Sequence, residues 1–261
     1  MKALESSQFE AIARRVGDTP FTATPYFFLK QGRCQVYADR AEAPRYGTIV
    51  PDVPCPDVYL FGAASLPAGE VEHLADFLAG LEAACSLFVP AHLVQPIRAR
   101  RRVVVEVEGL CFTYREIRRD FPISRPGFAR RLAPGDVDLV AALPAEAAFL
   151  HQNFGGIDGL LAEGLAFGVV RDGRLVSLAA SLTLTPGYSE VGVYTVRRRR
   201  HLGYATDCVE AIFAQIMAGG RQPLWRIGDR QKIAIYFAEK LEMEEIGTDG
   251  REIYVQMAPG R

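Results

Sequence analysis

A strand, a run of arginines and a helix follow one another closely in the C-terminal half of the chain. Residues 190–196 are predicted to form a buried strand, because β-branched and aromatic side chains dominate them. Four arginines, 197–200, come next and are followed by Gly203. The helix predicted over 206–217 has apolar residues three and four positions apart. A strand that leads through a glycine turn into a helix N-terminus constrains the fold more than any other feature.

The start of that helix is predicted to bind an anion. The first N–H groups of a helix have no partner within it, and the positive end of its dipole lies at the same point. Phosphate binds at such ends, and nearby arginines add charge-assisted donors. Neither the phosphate loop Gly-x-x-x-x-Gly-Lys-Ser/Thr nor the three-glycine dinucleotide fingerprint occurs here. The alternative is an ordinary strand–turn–helix unit whose arginines form a solvated face.

The segment 200–205, Arg-His-Leu-Gly-Tyr-Ala, resembles the Arg/Gln-x-x-Gly-x-Gly/Ala signature of the GNAT N-acetyltransferases. In that family the backbone amides of the signature hold the pyrophosphate of acetyl-coenzyme A (acetyl-CoA), and the preceding strand pairs with the pantetheine arm. The resemblance therefore implies acetyl-CoA as a co-substrate. It implies that the residues contacting it are Val193, Thr195, Arg199, Arg200, His201, Leu202, Gly203, Tyr204, Ala205 and Thr206.

The predicted fold class is α/β (α+β), divided into two domains. Residues 1–126 are expected to form a smaller α/β domain of unclear role, in which no catalytic group of residues is recognised. The resemblance implies that residues 127–261 form a GNAT-like acetyl-CoA-binding domain, a largely antiparallel sheet flanked by helices. Two prolines and a glycine place the boundary at 121–127.

Several predicted elements are specific. Asp172-Gly173 predicts a tight hairpin turn, since both residues accept positive φ angles. Residues 26–30 are predicted as a strand and residues 68–86 as a helix. Residues 244–257 are predicted to close the domain as a hairpin.

Acetyl transfer to an amine needs a positioned acetyl donor, a hydrogen-bond donor for the oxyanion, and removal of a proton from the amine. Several GNAT families carry a glutamate base near the position of Glu190, so the resemblance implies that role; an exposed strand-end residue is the alternative. Tyr194 lies on the same strand face and is assigned with it to the catalytic site, where it lines the acceptor pocket or simply packs. Ala238 stands where many GNAT enzymes place the tyrosine that protonates the thiolate, so no general acid is identified.

The predicted function is an acetyl-CoA-dependent N-acetyltransferase, with a small molecule or a protein as the amine acceptor and a homodimer as the candidate assembly. A catalytically weak or inactive acyl-CoA-binding or regulatory protein is the first alternative. An interaction module that binds no coenzyme A is the second.

Composition argues against several other classes. The net charge of −1 is unlike that of a nucleic-acid-binding protein, and no apolar run is long enough to cross a membrane. The four histidines are isolated, so no metal site is predicted. Five scattered cysteines fit a reduced, cytoplasmic protein. Cys208, near the helix start, is interpreted as a packed small residue rather than a reactive thiolate.

Overall fold

The computed structural model describes residues 1–81, 84–113, 123–246 and 252–259. Within these ranges the helices are α1 (Phe9–Val16), α2 (Ala23–Gln31), α3 (Ala68–Ala79), α4 (Ala91–Arg100), α5 (Val137–Ala141), α6 (Ile157–Glu163), α7 (Tyr204–Ala218) and α8 (Lys232–Lys240). The strands are β1 (Lys2–Ala3), β2 (Cys34–Ala38), β3 (Gly47–Pro51), β4 (Asp57–Phe61), β5 (Cys85–Pro90), β6 (Val103–Thr113), β7 (Arg130–Arg131), β8 (Ala166–Arg171), β9 (Arg174–Ser181), β10 (Tyr188–Thr195), β11 (Gln222–Gly228), β12 (Glu244–Glu245) and β13 (Glu252–Met257).

All of the described strands belong to one sheet. Its order is β1-β2-β3-β4-β5-β13-β6-β11-β10-β9-β8-β7, and β12 pairs with β6 beside this path. Neighbours run antiparallel except for β4 with β5 and β10 with β11, which are parallel. The predicted mixed, largely antiparallel sheet flanked by helices is confirmed.

Strand β6 joins the N-terminal and C-terminal parts of the sheet. Its residues 109–113 pair with β11, and residues between 103 and 108 pair with β13. Strand β13 also pairs with β5 on its other side. Strand pairing therefore crosses the predicted domain boundary, and the division into two domains stays a prediction.

The described part of the predicted boundary is packed on α7. The backbone N–H and the hydroxyl of Ser124 donate to the Glu210 carboxylate at 2.7 and 2.8 Å. Arg125 Nε donates to Asp207 Oδ1 at 2.7 Å. Residues 121 and 122 of that boundary lie outside the described residues.

Helix α7 packs its apolar face against β8, β9 and β10. Ile212, Phe213 and Ile216 lie on that face and are fully buried. Burying a side chain of this size stabilises the fold by about 1.5–3 kcal/mol. This packing holds the helix, and with it the N-terminus of the helix, against the end of β10.

The turn between β8 and β9 has the predicted geometry. Asp172 has φ +52° and Gly173 has φ +71°, which are the positive values that this tight hairpin requires. The hairpin prediction is confirmed.

Two predictions in the N-terminal half are wrong. Residues 26–30 lie in α2 rather than in a strand: Pro25 is in the first helical turn, where its missing N–H is not needed, and Gly32 ends the helix with φ +65°. Burial of Phe27, Phe28 and Leu29 in the core outweighs the strand preference of these aromatic residues. The helix predicted over 68–86 ends at Ala79, and residues 85–90 form β5.

The predicted closing hairpin over 244–257 is also wrong among the described residues. Strand β12 pairs with β6 at Thr113 and Phe112, and β13 pairs with β5 and the other part of β6. The turn predicted at 249–250 lies outside the described residues. Each strand finds its partner far away in the chain, which a pattern of local alternation does not reveal.

Candidate active site

Strands β10 and β11 separate partway along their length. They pair in parallel from Tyr188 to Glu190, opposite residues 222–224. Beyond Glu190, β10 remains paired with β9, whereas β11 pairs with β6. Because the two strands follow different partners, an opening forms between them.

The backbone of β10 presents polar groups to this opening. In an antiparallel ladder, successive residues direct their N–H and C=O groups alternately to the two sides. Glu190 accepts a bond from Leu182 N at 2.7 Å, and Val196 N donates to Val176 O at 3.0 Å. The even-numbered residues between them therefore bond to β9. Val193 and Thr195 direct their backbone groups to the opening, which is the orientation that the predicted pantetheine contact requires.

One of these carbonyl groups already has a partner within the chain. Arg200 Nε donates to the carbonyl oxygen of Thr195 at 3.1 Å. A carbonyl oxygen has two lone pairs, so a second donor can still approach it. An incoming pantetheine amide would share this oxygen with Arg200 or displace its side chain.

The N-terminus of α7 offers free backbone donors beside the opening. The first bond of the helix runs from Asp207 N to Gly203 O at 3.1 Å, so the N–H groups of residues 203–206 have no partner inside the helix. No side chain from the described part of the chain caps this end. Gly203 has φ +81°, a left-handed conformation that glycine adopts without steric cost. These donors and the helix dipole favour an anion.

The arginine run forms a short turn in front of that helix. Arg199 Nη2 pairs with Asp172 Oδ2 at 3.2 Å, and Arg200 points back to β10. His201 has φ +63°, an unusual conformation for a residue with a side chain and one that clusters at functional sites. Leu202 is 50% exposed. The predicted cofactor residues 199–206 therefore form the short turn before α7 and the first turn of that helix.

Arg125 joins this group from a segment that the sequence assigned to a domain boundary. Its guanidinium forms an ion pair with Asp207 and donates from Nη2 to Leu202 O at 3.2 Å. The same group lies 4.1 Å from the centre of the Phe128 ring. Arg125 therefore brings a positive charge to the turn before α7, although its Asp207 partner offsets part of that charge. No sequence motif marks Arg125, because an arginine next to a proline is common in loops.

A cleft of about 1190 Å³ extends from this helix end along the opening. Val193 and Ala205 line it together with residues of α8. Glu190 lines it as well, whereas Tyr194 is not among its lining residues. Tyr194 is partly buried and packs against a hydrophobic cluster that includes Leu150 and Leu178. The structure therefore brings Glu190 and the predicted cofactor strand into one cleft, and the catalytic role of Tyr194 stays a prediction.

Glu190 is held by a residue of the N-terminal half. Thr24 Oγ1, on α2, donates to Glu190 Oε2 at 2.5 Å. Thr24 also forms a hydrogen-bonding interaction with the buried Tyr59 hydroxyl. Helix α2, which the sequence analysis predicted as a strand at 26–30, therefore carries the residue that orients Glu190.

A second carboxylate, Asp57, lines the same cleft. The pKa of Asp57 is raised to about 6, chiefly by burial and then by the charge of Glu190, whereas Arg226 and a hydrogen-bonding interaction with Ser86 lower it. Asp57 is the first residue of β4. No local pattern marked it, because its neighbours in the cleft come from β5, β10 and β11.

The raised pKa of Asp57 has a measurable consequence for stability. The folded state holds its proton more tightly than the unfolded state, so wild-type stability is lost as pH rises from about 4 to about 6. We expect Asp57→Asn to raise the free energy of unfolding at pH 7.5 by up to about 3 kcal/mol, since each pKa unit corresponds to about 1.4 kcal/mol. The gain should fade towards pH 4.

Urea denaturation at both pH values measures this effect, with the exposed Asp52→Asn as the control. An equal gain in both variants would contradict the assignment, as would a gain for Asp57→Asn that is independent of pH.

The position of the expected general acid carries no proton donor. Ala238 is fully buried on α8, and Tyr236 on the same helix is 66% exposed. Trp225 is 5% exposed and lines the cleft, and its Nε1 has no hydrogen-bond partner among the residues described. A thiol with a pKa near 8.5 can leave as the thiolate without a strong acid.

The cysteines differ sharply in accessibility. Cys208 is fully buried, and this burial raises its pKa to about 12, which confirms the interpretation as a packed residue. Cys34, Cys85 and Cys111 are also buried, whereas Cys55 is exposed. We expect iodoacetamide at pH 8 to add one group to the folded protein and five after denaturation, as intact-mass measurement would show. Rapid addition of a second group to the folded protein would contradict this assignment.

The described residues contain neither a metal-binding cluster nor a membrane-spanning helix. No group of three or more histidine, cysteine, aspartate or glutamate residues in these ranges is arranged to hold a metal ion. In the same ranges no helix combines the length and apolar character needed to cross a membrane.

The C-terminal half is similar in sequence to known proteins. Residues 131–247 match the GNAT acetyltransferase family. Over 139 residues the chain is 32% identical to an uncharacterised N-acetyltransferase from the mutA 5′ region of Streptomyces virginiae. That match spans 50% of this chain and 58% of the relative. The predicted relationship of the C-terminal half to the GNAT family is confirmed.

The fold likeness reaches beyond that half. A GCN5-related N-acetyltransferase-like protein from Streptococcus suis aligns over 97% of this chain and 99% of its own, with a TM-score of 0.71 and 17% identity. A GNAT-family acetyltransferase from Novosphingobium aromaticivorans aligns over 94% and 100%, with a TM-score of 0.61 and 18% identity. At these identities the likeness establishes the fold, and it includes the N-terminal half.

Proposed function

Since the C-terminal half carries the sequence pattern and the fold of the GNAT acetyltransferases, we propose that the protein transfers the acetyl group of acetyl-CoA to an amine. One observation carries the proposal. The β10–β11 opening, with the backbone of Val193 and Thr195 facing it, ends at the uncapped N-terminus of α7.

The residues around the opening fit the parts of acetyl-CoA in order. The N–H groups of residues 203–206 bind the diphosphate, supported by the helix dipole and by the nearby arginines. The β10 backbone at Val193 and Thr195 pairs with the pantetheine arm as an added strand would. Acetyl-CoA supplies the thioester, and a backbone N–H on β10 stabilises the oxyanion.

Glu190 accepts the proton that the amine must lose. A primary ammonium with a pKa near 10.4 costs about 4–5 kcal/mol to deprotonate at pH 7. Glu190 lines the cleft, and Thr24 fixes one of its oxygens. The other oxygen is available to the amine or to a bridging water. We propose a small molecule as the acceptor, and the cytoplasmic location and the homodimer stay predictions.

A specific observation favours a second candidate, an acyl-CoA-binding protein with little or no turnover. The buried Ala238 removes the usual proton donor for the thiolate. Such a protein would still bind coenzyme A but would transfer its acetyl group slowly or not at all.

Coenzyme A binding tests the proposal. At millimolar coenzyme A and micromolar affinity, ligand binding should stabilise the folded protein by about 4 kcal/mol. Native mass spectrometry should also detect coenzyme A retained from expression. Acetylation in a panel of primary amines then separates the enzyme from the non-catalytic candidate. If neither coenzyme A nor acetyl-CoA shifts the melting temperature, both candidates fail.

A further inference from the structure

The end of the cleft remote from the arginine turn is built from both halves of the chain. Glu190 and Arg226 come from β10 and β11 of the C-terminal half. Asp57 and Phe88 come from β4 and β5 of the N-terminal half, and Tyr254 of β13 closes the wall. Nothing in the cofactor signature requires these N-terminal residues.

Hydroxyl groups of the N-terminal half lie next to each carboxylate. Thr24 donates to Glu190, as described above. Ser86 interacts with Asp57 by hydrogen bonding, and its hydroxyl lies 2.7 Å from the Tyr254 hydroxyl. Since a carboxylate only accepts hydrogen bonds, Ser86 donates to Asp57 and Tyr254 donates to Ser86. Both carboxylates are thereby oriented and keep further lone pairs for a ligand.

We propose that Asp57 and Glu190 together bind the ammonium group of a small primary amine with an apolar body, so that the N-terminal half selects the acceptor. This inference rests on the acetyltransferase function proposed above.

The charges at this end of the cleft favour a cation. Asp57 and Glu190 carry two negative charges and Arg226 carries one positive charge. The Arg226 guanidinium lies 4.7 Å from the centre of the Phe88 ring and donates to Phe21 O at 3.2 Å. These three side chains have a net charge of −1, and an ammonium ion offers three donors that match carboxylate oxygens.

The raised pKa of Asp57 agrees with this interpretation. The negative charge of Glu190 opposes the ionisation of Asp57, and a bound cation relieves this repulsion. The titratable and charged neighbours of Asp57 are Glu190, Arg226, Tyr59, Tyr254 and Cys85. Among these groups Glu190 has the largest influence on the pKa of Asp57 and raises it.

Aromatic side chains provide the apolar part of the subsite. Phe21, Phe88 and Tyr254 line the cleft near the carboxylates, and Phe149 and Trp225 line it further along. Such walls hold an apolar body, and a few polar groups fix its orientation. A small amine that is flat or aliphatic therefore fits this end better than a polycation does.

Isothermal titration of the full chain tests the subsite with benzylamine as the probe and benzyl alcohol as its neutral match. At pH 7.5 we expect wild type to bind benzylamine at least about tenfold more tightly than benzyl alcohol, since the ammonium adds charge-assisted hydrogen bonds. Asp57→Asn should lose about tenfold or more in affinity for benzylamine. The exposed Asp52→Asn should keep wild-type affinity.

The pH dependence gives a second signature. Wild-type affinity for benzylamine should fall as pH drops below about 6, because Asp57 becomes neutral, and the fall should be smaller in Asp57→Asn. Equal benzylamine affinity in wild type and Asp57→Asn would overturn the proposal. Failure of benzylamine to bind more tightly than benzyl alcohol would also overturn it.

The same preparations separate this inference from the function itself. Coenzyme A binding does not involve Asp57, so Asp57→Asn should keep wild-type affinity for coenzyme A. A wild type that binds coenzyme A but fails the benzylamine test refutes the acceptor subsite and leaves the transferase proposal standing. If wild type does not bind coenzyme A, the transferase proposal is refuted instead.

Discussion

A Gly203→Val variant should bind coenzyme A about 100-fold more weakly than wild type, or not measurably. Gly203 has φ +81°, which a β-branched residue strongly disfavours, and a Cβ there would lie 2.8 Å from Arg125 Nη2. The Arg125 side chain would have to move, and we expect the φ strain to shift the turn and with it the N–H groups of residues 203–206. Losing two hydrogen bonds to a charged diphosphate costs about 3 kcal/mol or more. Isothermal titration with coenzyme A measures the change.

Gly220 provides a matched control at the other end of the same helix. It has φ +75°, and a Cβ there meets nothing within 4 Å. Gly220→Val thus introduces similar backbone strain away from the proposed phosphate site. It should lower the melting temperature and leave coenzyme A affinity near that of wild type. Normal affinity in Gly203→Val, or equal losses in both variants, would refute the phosphate site.

A Glu190→Gln variant should reduce the turnover rate by about 10²–10⁴-fold while it keeps coenzyme A affinity. Glutamine preserves the shape and still accepts the Thr24 hydrogen bond, but it does not take a proton at neutral pH. The test is a rate measurement from pH 6 to 9 with the best acceptor from the amine panel. An unchanged rate over this range would remove Glu190 as the base.

Thr24 supplies a companion pair of variants. Thr24→Val removes the hydroxyl that orients Glu190, and Thr24→Ser retains it. We expect Thr24→Val to lower the turnover rate by about tenfold and to shift the pH profile, and Thr24→Ser to restore both. A loss of stability with an unshifted pH profile would instead indicate that Thr24 only packs.

Local patterns were sufficient where a structure depends on neighbouring residues. Asp172-Gly173 marked a hairpin because its φ preferences are set by those two residues. The period of apolar residues predicted α7, which begins at Tyr204, two residues before the predicted start at Thr206. The segment 200–205 resembles the GNAT signature, and the match of residues 131–247 to the GNAT acetyltransferase family agrees with that resemblance.

Local patterns failed where burial or distant pairing decided the outcome. The aromatic residues at 26–28 favour a strand by propensity, but α2 buries Phe27 and Phe28 in the core. Strand β13 pairs with β5 and β6 rather than with its sequence neighbour β12. Nothing in the sequence marks Asp57 as a site residue, because a single aspartate before an apolar strand is common.

Local sequence specifies the strand–turn–helix unit at 190–217 and the free backbone donors that follow Gly203, because φ preferences, helix periodicity and unpaired N–H groups at a helix start are local properties. The tertiary structure alone decided that Thr24, Asp57 and Ser86 meet Glu190 and Arg226. Their meeting depends on β6, which joins the two parts of the sheet through pairings between residues more than 100 positions apart. Side chains brought together across such distances share no spacing in the chain, so only the folded sheet places the N-terminal carboxylate in the cleft.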